Sequence, residues 1–164
     1  MDALFTKRVS IRKYQNRPVE QEKIEQMLRA AMAAPSAANQ QPWEFYVVTD
    51  PDTIQKLSHC TPYTGPARRA PLVFVACSRN NTIAAHMAQQ DMGAAVQNLM
   101  LQAVMLNLGT VWMGIAPGKP SMDNVRAIID MPETLDPFCL VACGYPDEER
   151  KWVDRYDASR VHYI

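Results

Sequence analysis

The chain has 164 residues, the size of one ordinary domain and long enough to bury a core. Hydrophobic residues make up 48% and charged residues 21%, which excludes disordered and collagen-like classes. Lys plus Arg equals Asp plus Glu at 17 each, so the basic excess of a general nucleic-acid binder is missing.

The opening "MDALFTKRVS" has no apolar run of the secretory kind, and the expected location is the cytoplasm. In "KRVSIRKY" (7–14), Arg8, Ser10 and Arg12 alternate. On extended backbone they project to one side, and two guanidiniums around a hydroxyl suit a phosphate; a solvated basic segment is the alternative. Residues 20–33 place Ile24, Met27, Leu28 and Ala31 on one face, which predicts an amphipathic helix. "APSAANQQPWEF" (34–45) joins that helix to a strand. Its Ser36, Asn39 and Gln41 suit either the edge of a heterocycle or a capping and turn role. Pro42 biases Gln41 towards extended backbone.

"EFYVVTD" (44–50) predicts a strand, 53–58 a short helix, and "APLVFVACS" (70–78) a strand buried on both faces. The longest helix is predicted over 83–108, apolar nearly all round from Met92 and stopped at Asn107 and Gly109. A helix apolar on every side needs cover on every side. A second subunit is the natural cover, with other helices of the chain as the alternative, so a homodimer is expected. Gln97, Asn98, Gln102 and Asn107 interrupt the helix and exclude a membrane span. Asp91 reads as a capping or dipole group rather than a base.

"TVWMGIAP" (110–117) predicts a strand, with Gly109 and Gly114 allowing close approach to its backbone. Ser121 is the expected N-cap of a helix over 121–131. "DPFCLVACGY" (136–145) predicts the last central strand, and "RVHYI" a short terminal one. Strands and helices mix without strict βαβ alternation, which favours an α+β domain spanning 1–164. Cys60, Cys77, Cys139 and Cys143 form no Cys-x-x-Cys pair and read as buried small hydrophobes in a reducing compartment. The three histidines lack paired metal spacing, and no G-x-S-x-G elbow occurs, so neither a metal site nor hydrolysis is predicted.

Taken together, "RVSIRKY", "APSAANQQPWEFYVV", "DMGAAVQNLMLQAVMLNLGTVWMG", "MPETLDPFCLVACGYPDEE" and "RYDASRVHYI" resemble, in this order, the motifs of the nitroreductase family of flavin enzymes. The resemblance spans the whole chain. It implies a central, mostly antiparallel sheet flanked by helices, in an intertwined homodimer with FMN at the interface. By the resemblance, Arg8, Ser10 and Arg12 match residues that hold the FMN phosphate, ribityl chain and pyrimidine edge. Pro35, Ser36, Ala37 and Asn39 match a loop that reaches over from the partner subunit, with Gln41 supporting it. Trp112, Met113 and Gly114 match a stretch whose backbone lies against the isoalloxazine, and Arg155 the cation that completes the phosphate site. Val9 and Val153 stand where the family often carries further cations. The implied activity takes hydride from NADH or NADPH and passes it to small acceptors such as nitroaromatics, quinones or flavins in a ping-pong cycle. The chemistry is then at flavin N5, with no catalytic side chain. A non-catalytic FMN-binding or sensing protein, or a dedicated flavin or biosynthetic dehydrogenase, are the alternatives. Neither nucleic acid nor a membrane is an expected partner.

Overall fold

The computed structural model describes residues 3–164. Its regular elements are α1 (Ala3–Lys7), α2 (Gln21–Met32), β1 (Trp43–Val48), α3 (Pro51–Leu57), β2 (Leu72–Arg79), α4 (Ala88–Met105), β3 (Gly109–Gly114), α5 (Lys119–Ile128) and β4 (Leu135–Gly144). The four strands form one sheet in the order β1-β2-β4-β3, with every neighbouring pair antiparallel.

The unbroken apolar runs of β2 and β4 follow from their central places, where both faces carry a core. Side chains alternate across the sheet. Val73, Val75, Leu140 and Ala142 meet α3 and α5 through Ile54, Leu57 and Val125. Leu72, Phe74, Cys139 and Val141 meet α2 and α4 through Met27, Met92, Val96 and Leu99.

Helix α4 is shorter than the periodicity predicts, because its first turn, Ala85–Met87, is a 3-10 turn. It also ends at Met105 rather than at 108, although Asn107 is the stop expected: it takes φ 59°, and the Leu108 N–H donates back to the Ala103 carbonyl (2.8 Å). Ala95, Leu99 and Ala103 are sealed against the sheet side, while Leu101 and Val104 are partly open and Met105 is 64% exposed. The chain therefore covers one face of this helix and leaves an apolar stripe uncovered.

Three local expectations are corrected. The turn α1 is present before Arg8, where no helix is predicted. Ser121 does not cap α5; Gly118 precedes the helix, and Pro120 lies in its first turn, where a missing N–H is harmless. "RVHYI" is not a strand: a 3-10 turn, Ala158–Arg160, is followed by irregular backbone, and residues 150–164 are all exposed. Among the described residues no strand pairs with the tail to complete a ladder, and an unpaired strand is not stable in water.

The segment after α1 is seated by close packing. A Cβ placed on Gly109 would lie 2.7 Å from the Ile11 side chain, and one on Gly144 would lie 2.7 Å from Pro71 and 3.1 Å from Tyr14. Gly144→Ala is therefore expected to destabilise the fold by about 1–3 kcal/mol, the usual range for overpacking. Urea unfolding measures this. An unchanged midpoint would mean that Tyr14 and Pro71 yield freely and that this seat is loose.

Candidate functional site

Arg8, Ser10 and Arg12 follow α1 in a segment that meets the start of β3 at Ser10. Ser10 bridges Thr110 in parallel, and the Ile11 N–H donates to the Thr110 carbonyl (3.0 Å). Ile11 and Tyr14 are buried, and the Tyr14 hydroxyl donates to the Ile11 carbonyl (2.6 Å). With Ile11 turned inward, its neighbours Ser10 and Arg12 turn outward, and the alternation ends before the buried Tyr14. Arg8, Ser10 and Arg12 line one cavity of about 230 Å3, and Arg155 reaches the same cavity from the tail. Val9, Arg150, Lys151, Trp152 and Val153 complete the wall. Among the described residues, Arg8, Arg12, Lys151 and Arg155 have no ion-pair partner. Guanidiniums and a hydroxyl around one hollow, without a balancing carboxylate, are the donor set of an anion site, and a phosphate fits it.

Glu148 fixes the far end of this segment. Its Oε1 accepts the N–H of Arg12 (2.6 Å) and of Lys13 (3.1 Å), and its Oε2 pairs with Arg150 (2.9 Å). The Arg12 N–H, with help from Arg150, holds this carboxyl below its ordinary value of 4.5. A carboxyl depressed on folding stabilises the folded form above that ordinary value and loses the contribution as pH falls through the lower folded one. The stability gap between the native chain and Glu148→Gln is thus expected to be constant near neutral pH and to close only below pH 4.5. Denaturation midpoints across pH 3 to 8 (roughly one unit beyond the carboxylate range on the acid side) test this; a gap that closes near neutrality would assign the linkage to another group.

The loop from Pro35 to Gln41 is held from behind. The Ala37 N–H and the Gln40 side-chain amide donate to the two oxygens of Asp91 (2.9 and 2.6 Å). Gln40 also donates to the Ala84 carbonyl (3.0 Å) and accepts the Ala84 N–H (2.9 Å). Arg79 donates to the Gln41 carbonyl (2.7 Å). The Ser36 hydroxyl oxygen accepts the Gln41 N–H (2.9 Å), and the Gln41 amide donates to Asn39 (3.2 Å). Ala38, Asn39 and Gln41 take φ of 49°, 51° and 47°. Gln41 is left-handed, not extended as Pro42 suggests, because its N–H and carbonyl are both claimed by Ser36 and Arg79. Pro35, Asn39 and Gln41 face solvent. The cavity of the arginines does not include this loop.

On β3, Trp112 and Met113 turn to opposite faces. Trp112 packs edge-on against Phe138 (centroids 5.4 Å apart), and Met113 is buried in the core on the other face. Gly114 is open, with nothing within 4 Å of a Cβ placed there. Their side chains serve packing, so backbone is what this edge strand offers a flat ligand.

The four cysteines are buried and unpaired. Burial pushes the thiols of Cys77 and Cys143 up to about 12 and raises those of Cys60 and Cys139. All stay protonated at neutral pH, which removes thiolate chemistry. Among the described residues no group of His, Cys, Asp or Glu could hold a metal ion.

The sequence reading missed Gln40, Arg79, Asp91 and Glu148 as supports, and Arg150 and Lys151 as cavity walls. Asp91 carried a signal: it lies on the inward stripe of α4 with Ala88, Met92 and Ala95, where a carboxylate needs partners.

The chain matches the model of the nitroreductase family over residues 5–61 and 58–145. A protein of Methanothermobacter thermautotrophicus, provisionally named NADH dehydrogenase/NAD(P)H nitroreductase, is 36% identical over 163 residues, 99% of this chain and 85% of the relative. A crystal structure of a provisionally named NADH oxidase from Clostridium acetobutylicum superposes with a TM-score of 0.93 at 43% identity, covering 97% of each chain. An FMN-dependent nitroreductase from Clostridium difficile gives a TM-score of 0.93 at 30% identity, over 99% of this chain and 98% of that one. With its antiparallel sheet, its outward arginines and its clamped loop, this chain belongs to the nitroreductase family.

Proposed function

We propose that the chain is an FMN-dependent oxidoreductase that accepts hydride from NADH or NADPH and passes it to small acceptors such as nitroaromatics, quinones or flavins. Donor and acceptor use one open place in turn. The observation that carries this reading is the cavity in which Arg8, Ser10, Arg12 and Arg155 converge from both ends of the chain without a balancing carboxylate.

When bound, FMN supplies the two-electron redox chemistry. Arg8, Ser10 and Arg155 hold its phosphate. Arg12 sets a positive charge at the pyrimidine edge, which favours negative charge accumulating there. The backbone of Trp112, Met113 and Gly114 orients the ring. Pro35, Ser36, Ala37 and Asn39 cover it from a second subunit, and Gln41 braces them.

A homodimer accounts for what the chain leaves open. Its accessible surface is 9667 Å2, against about 8,200 Å2 for a compact monomer of this mass. Apolar Trp152, Val153, Tyr156, Tyr163 and Met105 are among the exposed residues. Residues 1–164 form one FMN-binding domain in this reading, and the buried thiols suit the cytoplasm. Among the described residues, no helix is long and apolar enough to cross a membrane.

The test is the visible spectrum of the purified protein under anaerobic NADH and NADPH, with sedimentation of the same sample. A flavin spectrum that bleaches with a nicotinamide, on a dimer, is the expected result. Bound flavin that neither nucleotide bleaches would turn the reading to a binding or sensing protein. A protein that stays colourless with added FMN would end it.

A further inference from the structure

A second basic hollow adjoins the first. Arg68 and Arg69 end the 3-10 turn Gly65–Arg69 that leads into β2. With Arg12, Lys13, Arg150, Gly65, Pro66 and Glu148 they enclose about 240 Å3. Arg12 and Arg150 are shared with the cavity of Arg8, Ser10 and Arg155, so the two hollows are neighbours.

Five cations face one carboxylate here, and that carboxylate already serves Arg150 and two backbone N–H groups. Among the described residues, Arg12, Lys13, Arg68 and Arg69 have no ion-pair partner. In a chain with formal net charge zero, this is a local concentration and not a general excess. Like charges gathered without a counter-charge repel, and an anion between them removes that penalty. The turn itself is fixed: Ala67 is fully buried, its N–H donates to the Thr64 carbonyl (3.0 Å), and its carbonyl accepts the Ala70 N–H (2.9 Å). Two neighbouring guanidiniums thus stand on a rigid base, free to move only in their side chains. They also form the ridge to the next hollow, beside Tyr14 and Pro51.

We propose that this hollow is a phosphate subsite for the hydride donor, that it takes the phosphomonoester on the donor's adenosine ribose, and that NADPH is therefore preferred to NADH. The proposal rests on the oxidoreductase reading above. A phosphomonoester carries about −1.5 to −2 charges near pH 7 and three acceptor oxygens, which two planar forks engage in pairs. The pyrophosphate is common to both donors and cannot discriminate. In the flavin reading Arg8, Ser10 and Arg155 take the flavin phosphate and Arg12 the pyrimidine edge, which leaves Lys13, Arg68 and Arg69 for a second anion.

The experiment uses the FMN-loaded protein. Calorimetry compares adenosine 2′,5′-bisphosphate, 5′-AMP and inorganic phosphate. The bisphosphate is expected to bind at least roughly tenfold more tightly than either, and less tightly as salt rises. Arg68→Ser/Arg69→Ser erases the difference, while Arg68→Lys/Arg69→Lys, which keeps the charge and removes the forks, retains part of it. Equal binding of the bisphosphate and 5′-AMP, inorganic phosphate binding as tightly as the bisphosphate, or a serine variant with the difference intact would each overturn the proposal. Anaerobic stopped-flow bleaching separates the two levels. Faster bleaching by NADPH supports the subsite; equal rates sink the subsite and leave the flavoenzyme; no bleaching by either sinks the oxidoreductase reading itself.

Discussion

Asp91→Asn is expected to weaken FMN binding about a hundredfold while leaving the fold in place. The loop it holds is not self-supporting. Ala38 and Gln41 are left-handed without being glycine, at about 1–2 kcal/mol each, and Asn39 joins them more cheaply. Their shape persists because Asp91 accepts from the Ala37 N–H and from Gln40, and Gln40 in turn closes on both polar groups of Ala84. Asparagine keeps an oxygen for Ala37 but turns an NH2 towards the NH2 of Gln40, so two donors face each other. Gln40→Glu in the Asp91→Asn background puts an acceptor opposite the new donor and is expected to recover about tenfold of the loss. FMN titration by fluorescence, with unfolding midpoints in parallel, measures both. Native affinity in Asp91→Asn would show that the loop does not depend on this clamp. A double variant no better than the single would show that the loss was a general loosening.

The arginine cavity gives the second large effect. Arg8→Ala and Arg155→Ala are each expected to remove one proposed charge-assisted phosphate contact of about 2 kcal/mol, or roughly thirtyfold in FMN affinity. The double variant loses up to about a thousandfold, less if the survivor shifts to cover the gap. Riboflavin is the control, since it has the ring and the ribityl chain without the phosphate. The native protein is expected to prefer FMN strongly, and the double variant to bind the two alike. If the double variant keeps the native preference, the phosphate lies elsewhere and the cavity has another ligand.

Much of this architecture was legible from periodicity. The runs 70–78 and 136–145 are continuous because β2 and β4 are covered on both faces, and the stripe Ile24, Met27, Ala31 is the inner face of α2. The outward set Arg8, Ser10 and Arg12 followed from alternation, even though the segment has only an isolated bridge and not a full strand. What was not legible depends on distant partners. Gln40 and Gln41 are the same residue side by side, yet one is the lock and the other an exposed arm, and only Asp91 and Ala84 decide which. Glu148 looks like one acid among several in "PDEER" until Arg12 and Lys13 meet it. The terminal "RVHYI" has strand composition, but composition supplies no neighbour. Arg68 and Arg69 carry no motif and gain meaning only from the cations that the fold places beside them.

The clamp behind the loop and the bare tail have opposite consequences for assembly. Gln40, Arg79 and Asp91 belong to the same chain as the loop they hold, so in the proposed dimer that loop arrives already shaped and gives up little freedom. Residues 150–164 are exposed along their length, with the Ala158–Arg160 turn as their regular element, so each of them that the proposed dimer fixes costs about 1–2 kcal/mol in backbone entropy, which aromatic and aliphatic side chains buried there must offset. In that dimer, encounter of the preformed loops is expected to be the quick step and settling of the tails the slow one. Shortening the tail is therefore expected to accelerate subunit exchange more than it slows first contact.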